Sequence, residues 1–252
     1  MFQFKFSIIT VVKNDVKNLE KTIKSVIEQK DFTYVEYIIV DGDSNDGTVD
    51  IINKYKKHID KYISEPDDGI YDAMNKGVKL SSGDIIGICN SGDILSSKGL
   101  SYILNQFKKN KDFVFGTVLR KYMGAEILKS GFNSKRIYYN FDFATSHSTG
   151  FYIKKNAMNK LGLYDTQFKC SADYDYYMRL IKSEQFKGGA TEPGEMVGVV
   201  ESGGFSSKIT FFQHLMEETK IRLKNNQNKI LIFIIFCNAI IKFYFKKLMN
   251  FK

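Results

Sequence analysis

The sequence predicts an α/β protein, a mixed but mainly parallel sheet flanked by helices, with an apolar and basic helical tail. Three observations carry this expectation. Apolar, β-branched runs alternate with segments of helical periodicity, the pattern of βαβ units. Polar loops rich in acids and glycine, Val40–Thr48, Ser64–Val78 and Asn90–Asp93, directly follow such runs. The last fifty residues carry a different charge balance from the rest.

Phe6–Val12 is apolar and β-branched, as expected of a strand buried on both faces. Val16, Leu19, Ile23, Val26 and Ile27 follow at helical spacing, with Asn14 or Asp15 as a cap. Tyr34–Val40 reads as the second strand, and Val49, Ile52 and Tyr55 mark a second helix opened by Asp46-Gly47-Thr48. Lys61–Ser64 is a short third strand, Tyr71–Val78 a helical segment and Asp84–Cys89 a fourth strand. Leu100, Ile103 and Phe107 give another helix face, and Phe113–Leu119 reads as one further strand. Residues 120–160 are richer in aromatic and polar residues, and Asp173–Ile181 is again helical. The run Ile230–Ile241 is apolar, is followed by Lys242, Lys246 and Lys247, and is shorter than the roughly 20 residues a spanning helix needs. It is expected to lie on a membrane surface.

Composition narrows the function classes. Of the net charge of +9 over 252 residues, +7 falls within residues 203–252, which leaves +2 for residues 1–202. A basic tail on a nearly neutral body argues against a nucleic-acid groove and suits an anionic membrane leaflet. The chain reads as cytoplasmic, because its start lacks a secretory signal. Cys89, Cys170 and Cys237 are far apart and show no metal-ligand spacing. Gly42–Thr48 lacks the lysine of a phosphate-binding P-loop and contains Asp43 and Asp46, which would repel a phosphate. No G-x-G-x-x-G follows the first strand, so a dinucleotide-dependent oxidoreductase is poorly supported.

Several separated blocks, in order, resemble the inverting family 2 glycosyltransferases of the GT-A fold. They are Phe6–Asn14, Val40–Thr48, Ser64–Val78, Asn90–Asp93, His147–Phe151, Ser171–Asp175 followed by Met178-Arg179-Leu180, and Ser202–Ser206. The resemblance covers roughly residues 4–207 and is nearest to the branch of bacterial exopolysaccharide, capsule and O-antigen assembly, of colanic-acid type. It implies a catalytic domain over 1–207, with a nucleotide-sugar half to residue 119 and an acceptor-side half from 120. Residues 208–252 form the tail, for a membrane surface or a partner.

The same resemblance implies roles. Thr10, Val12, Asp41, Ser44, Gly69, Asp72, Asn75, Asn90 and Asp93 border the nucleotide-sugar donor, with Asp41 accepting a base N–H. Asp173 is the general base, and Asp175 and His147 lie on the acceptor side. From the residues alone, Asp175 is equally an i,i+4 partner of Arg179. Asn90-Ser91-Gly92-Asp93 stands where the family carries its D-x-D metal motif. Asn90 and Gly92 replace both acids, so a divalent cation, Mg²⁺ or Mn²⁺, is expected at Asp93 only once a donor supplies phosphates. The implied reaction moves a sugar from a nucleotide-diphosphate sugar to a saccharide, lipid-linked at the inner face of the cell membrane. The alternative is a non-catalytic nucleotide-sugar-binding or scaffold module, and Asp173 argues against it because a pure binder needs no base.

Overall fold

The computed structural model describes residues 4–31, 34–122, 124–139, 143–144, 147–201 and 209–249. The expected Ser202–Ser206 block lies outside them. The chain opens with β1 (Lys5–Val12), α1 (Leu19–Ile27), β2 (Tyr34–Asp41), α2 (Thr48–Lys54), β3 (Lys61–Ser64), α3 (Ile70–Leu80) and β4 (Ile85–Ile88). It continues through β5 (Ile94–Leu95), α4 (Gly99–Lys108), β6 (Phe113–Phe115), β7 (Thr117–Tyr122), β8 (Ala125–Lys129), β9 (Phe151–Lys154), α5 (Lys155–Leu161) and α6 (Ala172–Lys182). It closes with β10 (Gly188–Ala190), β11 (Met196–Val200), α7 (Phe211–Lys224) and α8 (Lys229–Met249).

Seven strands form the main sheet, in the order β10-β6-β9-β4-β1-β2-β3. β9 alone runs against its neighbours, pairing antiparallel with β4 and β6, while the other pairs are parallel. β1 is central, and both of its faces are buried. Ile9 and Val11 join the core under α3 and α6, whereas Phe6, Ile8 and Val12 join the core under α1 and α4. That two-sided burial explains why β1 reads as a continuous apolar run rather than an alternating one.

The expected single strand Phe113–Leu119 is two strands. Phe113–Phe115 pairs in the main sheet, and Thr117–Tyr122 enters a second sheet ordered β5-β11-β7-β8. Gly116 is the pivot. A Cβ there would lie 2.5 Å from Val197 Cγ2, so only glycine lets the chain pass so close to β11. Residue type alone concealed the break, because both pieces are apolar.

α7 follows residue 207 but packs as part of the body. Ile221 belongs to the same core cluster as Tyr176 and Tyr177 of α6. α7 starts with a full capping box, in which Thr210 and Gln213 satisfy each other's backbone amides. α8 differs: only Ile232 is buried along its 21 residues. Phe243 stacks on Phe211 at 4.2 Å between ring centroids, which joins α8 to α7.

Candidate active site

The parallel strands β1, β2, β3 and β4 deliver their following loops to one end of the sheet, where open α/β sheets bind ligands. Short hydrogen bonds join these loops. Gly42 N–H donates to Val12 O at 2.9 Å, Asn14 N–H to Ser44 Oγ at 2.8 Å, and Asn45 N–H to Asn14 Oδ1 at 2.9 Å. Ser91 links the β4 loop to the β1 loop through Val11 O at 3.2 Å and Asp15 Oδ2 at 2.7 Å. Asp41 is fully buried at the end of β2. Its carboxylate accepts from Ser44 Oγ at 2.5 Å, Ser44 N–H at 3.1 Å and Ser64 Oγ at 2.6 Å. Asp41 and Ser44 therefore act as one unit that fixes the loop after β2.

Other residues expected at the donor stand in varied places. Thr10 is buried, and its hydroxyl meets Tyr37 Oη at 3.0 Å, while the Val12 side chain is core. Neither side chain faces the loops. Gly69 caps α3 with φ of +115°, a left-handed conformation natural to glycine, and no atom lies within 4 Å of where its Cβ would be. Asp72 accepts from Asp68 N–H at 3.2 Å and pairs with Lys76 at 3.4 Å. Asn75 is engaged by the protein itself. Its amide makes a two-way clamp on the Tyr164 backbone, at 2.9 and 3.0 Å, and the residue is buried.

The β4 loop is pinned from both sides. Thr22 Oγ1 donates to Asp93 O at 2.7 Å and accepts from Gly92 N–H at 3.0 Å, and Asn90 Nδ2 donates to Ser148 Oγ at 2.8 Å. Asp93 is 5 % exposed, and its Oδ2 accepts from Thr149 Oγ1 at 2.5 Å. Burial pushes its carboxyl up to about 7, against the partial relief of the Thr149 bond. His147 Nδ1 lies 3.9 Å from the same Oδ2. Burial, then the Arg120 charge, holds that imidazole down at about 3, so it is neutral beside Asp93.

These residues do not fit a cation held by Asp93. The carboxylate is enclosed and engaged by Thr149, whereas a hard cation needs an open oxygen. Asn90 Oδ1 is a buried atom with no partner among the described residues, but it is a neutral ligand. No group of three or more His, Cys, Asp or Glu among the described residues could hold a metal ion.

Asp173 lies in the first turn of α6, half-buried. Its Oδ1 accepts from Tyr174 N–H at 2.8 Å and from the Tyr71 phenol at 3.0 Å. Its Oδ2 accepts no hydrogen bond from another of the described residues. Burial raises this carboxyl to about 6, with the two bonds at Oδ1 opposing the rise. Tyr71 belongs to α3, so the run after β3 and the start of α6 meet here. Lys169 Nζ strengthens the junction by donating to Asp68 O at 3.0 Å.

Asp175, expected on the acceptor side, is fully buried and turned away. It binds Arg179 Nε at 2.8 Å, Lys224 Nζ at 3.0 Å and Asn225 Nδ2 at 3.1 Å. Those three bonds saturate it and tie α6 to the end of α7. Two contributors carried no signal of their own in the sequence. Tyr71 was one aromatic within the acidic run, and Glu217, which binds backbone amides just before α6, was one charge in the tail.

Comparison with known proteins bears on this geometry. The family model described as "Glycosyl transferase family 2" matches residues 7–168. An uncharacterized glycosyltransferase of Mycobacterium tuberculosis, Rv1514c, is 29 % identical over 177 residues, 69 % of this chain and 67 % of that protein. The PGL/p-HBAD biosynthesis glycosyltransferase Rv2957 of the same species is 26 % identical over 234 residues, 87 % of each chain. Among solved structures, Staphylococcus aureus TarS (residues 1–349) with UDP-GlcNAc superposes with a TM-score of 0.69 at 15 % identity, covering 94 % of this chain and 71 % of that one. The mannosyltransferase PcManGT of Pyrobaculum calidifontis, in complex with GDP-Man and Mn²⁺, superposes at 0.64 and 13 % identity, covering 90 % and 66 %. The last two likenesses concern the fold.

Proposed function

Because this chain belongs to glycosyl transferase family 2 and is a glycosyltransferase, we propose that it transfers a sugar from a nucleotide-diphosphate sugar to a saccharide acceptor in cell-surface polysaccharide assembly. The observation that carries the mechanism is Asp173, with one oxygen fixed by Tyr71 and Tyr174 and the other open. A carboxyl near pKa 6 is ionised at neutral pH and is a stronger base than an ordinary aspartate. In the proposed step, Asp173 Oδ2 takes the proton of an acceptor hydroxyl. The acceptor oxygen bonds to the anomeric carbon as the bond from that carbon to the phosphate oxygen breaks. The nucleoside diphosphate leaves with the electron pair, and attack from the opposite face inverts the configuration.

The donor is proposed to lie over the strand-end loops, bordered by Asp41, Ser44, Gly69, Asp72 and Asn90. UDP-GlcNAc and GDP-Man in the two superposed structures support a nucleotide-sugar of this class. No step of the reading is routed through a metal at Asp93. That side chain is assigned to holding Thr149 and His147 beside the β4 loop.

The names of relatives support a surface glycan as product: besides the PGL/p-HBAD enzyme, a minor teichoic acid biosynthesis protein is also similar to this chain. The acceptor is proposed to be lipid-linked, met at the cytosolic face of the membrane. α8 supports this, because Phe233, Ile241, Phe245 and Leu248 are exposed beside Lys242, Lys246 and Lys247. No helix among the described residues is long and apolar enough to cross a membrane, so an interfacial helix is the proposed form of contact.

The decisive experiment pairs a binding readout with a turnover readout in Asp173→Asn. Thermal stabilisation by whichever of the UDP-, GDP-, dTDP- and CMP-sugars stabilises the parent should persist, while transfer of its sugar to an acceptor, with release of the nucleotide, should be lost. Retained turnover would overturn the base assignment.

A further inference from the structure

The first turn of α6 is held by a distant side chain rather than by its own cap. Ser171 stands at the cap position, and its side chain makes no capping bond. The amides leading into the helix converge instead on Glu217 of α7. Lys169 N–H donates to Oε1 at 2.8 Å, and Cys170 N–H and Ser171 N–H donate to Oε2 at 2.9 and 3.0 Å. The Cys170 thiol adds a fourth contact to Oε2 at 3.1 Å. Asp173 follows Ser171 by two residues.

We propose that Glu217 is a positioning residue for the base: its carboxylate gathers three successive amides and thereby sets where Asp173 presents its open oxygen. The proposal rests on the reading of Asp173 as the base. A carboxylate is the side chain suited to this task. It is acceptor-only, offers two oxygens to a fan of N–H groups, and places negative charge at a helix N-terminus, where the dipole favours it. Nothing local could replace it, since these amides precede the helix and have no intrahelical acceptor. Small errors here are costly, because a displacement of about 1 Å at a reacting group lowers rate roughly 100-fold.

Glu217 also acts on Asp173 through its charge. Among the described residues, the ionisable groups around Asp173 include Tyr71 of α3, Tyr164 and Cys170 from the segment before α6, Tyr177 of α6, and Glu217 and Glu218 of α7, with His214 of α7 against Ser171. Burial is the largest cause of the raised Asp173 carboxyl, and the negative charge of Glu217 adds to it. Removing that charge shifts the titration whatever Glu217 does for the helix start, so reach and charge are tested apart.

Two variants of the whole chain separate reach from charge. Glu217→Gln keeps the length, removes the charge and turns an N–H₂ donor toward amide donors. Glu217→Asp keeps the charge and falls one methylene short. With ¹³Cγ-aspartate labelling, the Asp173 signal is identified by its loss in Asp173→Asn. In Glu217→Gln its titration midpoint should fall below about 6, and turnover of the stabilising sugar nucleotide should drop roughly 100-fold while thermal stabilisation by that nucleotide is unchanged. In Glu217→Asp turnover should drop comparably with a midpoint above that of the Gln variant. Turnover unmoved in Glu217→Gln, whatever its midpoint, would overturn the positioning role alone. Turnover surviving in Asp173→Asn would instead overturn the base reading underneath it.

Discussion

The strand-end loops and two places after residue 171, the open carboxylate of Asp173 and the surface of α8, treat polar groups in opposite ways. In the loops, carboxylates are committed to neighbours: Asp41 to Ser44 and Ser64, Asp15 to Asn18 and Ser91, Asp46 to Thr48 and Val16. At the start of α6, Asp173 keeps an oxygen open, and along α8 apolar side chains and lysines remain on the surface. Under the proposed function the difference separates two jobs. A cradle for a nucleotide needs fixed backbone, which mutual hydrogen bonding supplies before a ligand arrives. A base and a docking surface need groups that nothing in the protein has yet satisfied.

The widest break in that contrast is Asp173→Asn. Removing the open base should cost about 10²- to 10⁴-fold in turnover and leave the loops able to bind a sugar nucleotide. Nucleotide stabilisation lost together with turnover would show that the two regions are not separable.

Asp93 tests the committed side. Burial lifts its carboxyl from the ordinary 3.8 to about 7, so between those values the folded state holds a proton that the unfolded chain releases. Stability therefore falls as pH rises from about 4 to about 7. Asp93→Asn removes this cost and can still accept from Thr149. Its advantage over the parent should grow across that window to a ceiling of about 4 kcal/mol, read as melting temperatures at pH 5 and pH 8. Two melting curves that keep the same separation at both pH values would sink the enclosed-acid account, and donor stabilisation that depends on Mn²⁺ and vanishes in this variant would restore a metal at Asp93.

On the open side, replacing Lys242, Lys246 and Lys247 together by Gln should weaken sedimentation with phosphatidylserine-containing vesicles. At about 1 kcal/mol per lysine near the surface the loss is roughly 100-fold, and it should shrink at high salt. Equal binding of the parent to neutral and anionic vesicles would remove electrostatics from the picture.

The smallest effect sharpens the boundary between the regions. Tyr71→Phe deletes a hydrogen bond to the ionised form of Asp173, so the carboxyl should rise further above its ordinary value. The limb on which activity increases with pH then moves upward, with a loss of about 1 kcal/mol near pH 6 and little change at pH 8. A limb that stays in place would mean that the phenol does not tune the base.

Much of the sheet was legible because its signals are local. β1 to β4 and α1 to α4 announce themselves through runs of Ile and Val and through helical spacing. The reversal of β9 and the change of sheet at Gly116 were not, since antiparallel pairing and a close approach to Val197 leave no mark on a stretch of apolar residues. The composition changes near residue 207, whereas the packing changes only after Asn228, because Leu215, Ile221 and Arg222 are buried against the body. At the site, residue types pointed to the strand-end loops but not to the direction of side chains. Thr10 turns to Tyr37, Asn75 to Tyr164 and Asp175 to Arg179 and Lys224. Each choice depends on a partner that only the tertiary fold brings near. Glu217 is the extreme case, meeting amides 46 to 48 positions earlier in the chain.

The position of Glu217 bears on how this enzyme can be shortened. α7 carries its clamp on the inner face and Phe212, Met216 and Leu223 on the outer one, and α8 hangs from it by Phe211 and Phe243. A deletion from residue 208, the natural choice for discarding sticky surface, would discard the clamp as well. If Glu217 positions the base as proposed, the remnant keeps its strand-end loops and loses its activity, an outcome easily mistaken for proof that catalysis needs a membrane. A cut after Asn228 removes the greasy helix and leaves the machinery whole, so the two truncations together tell solubility apart from chemistry.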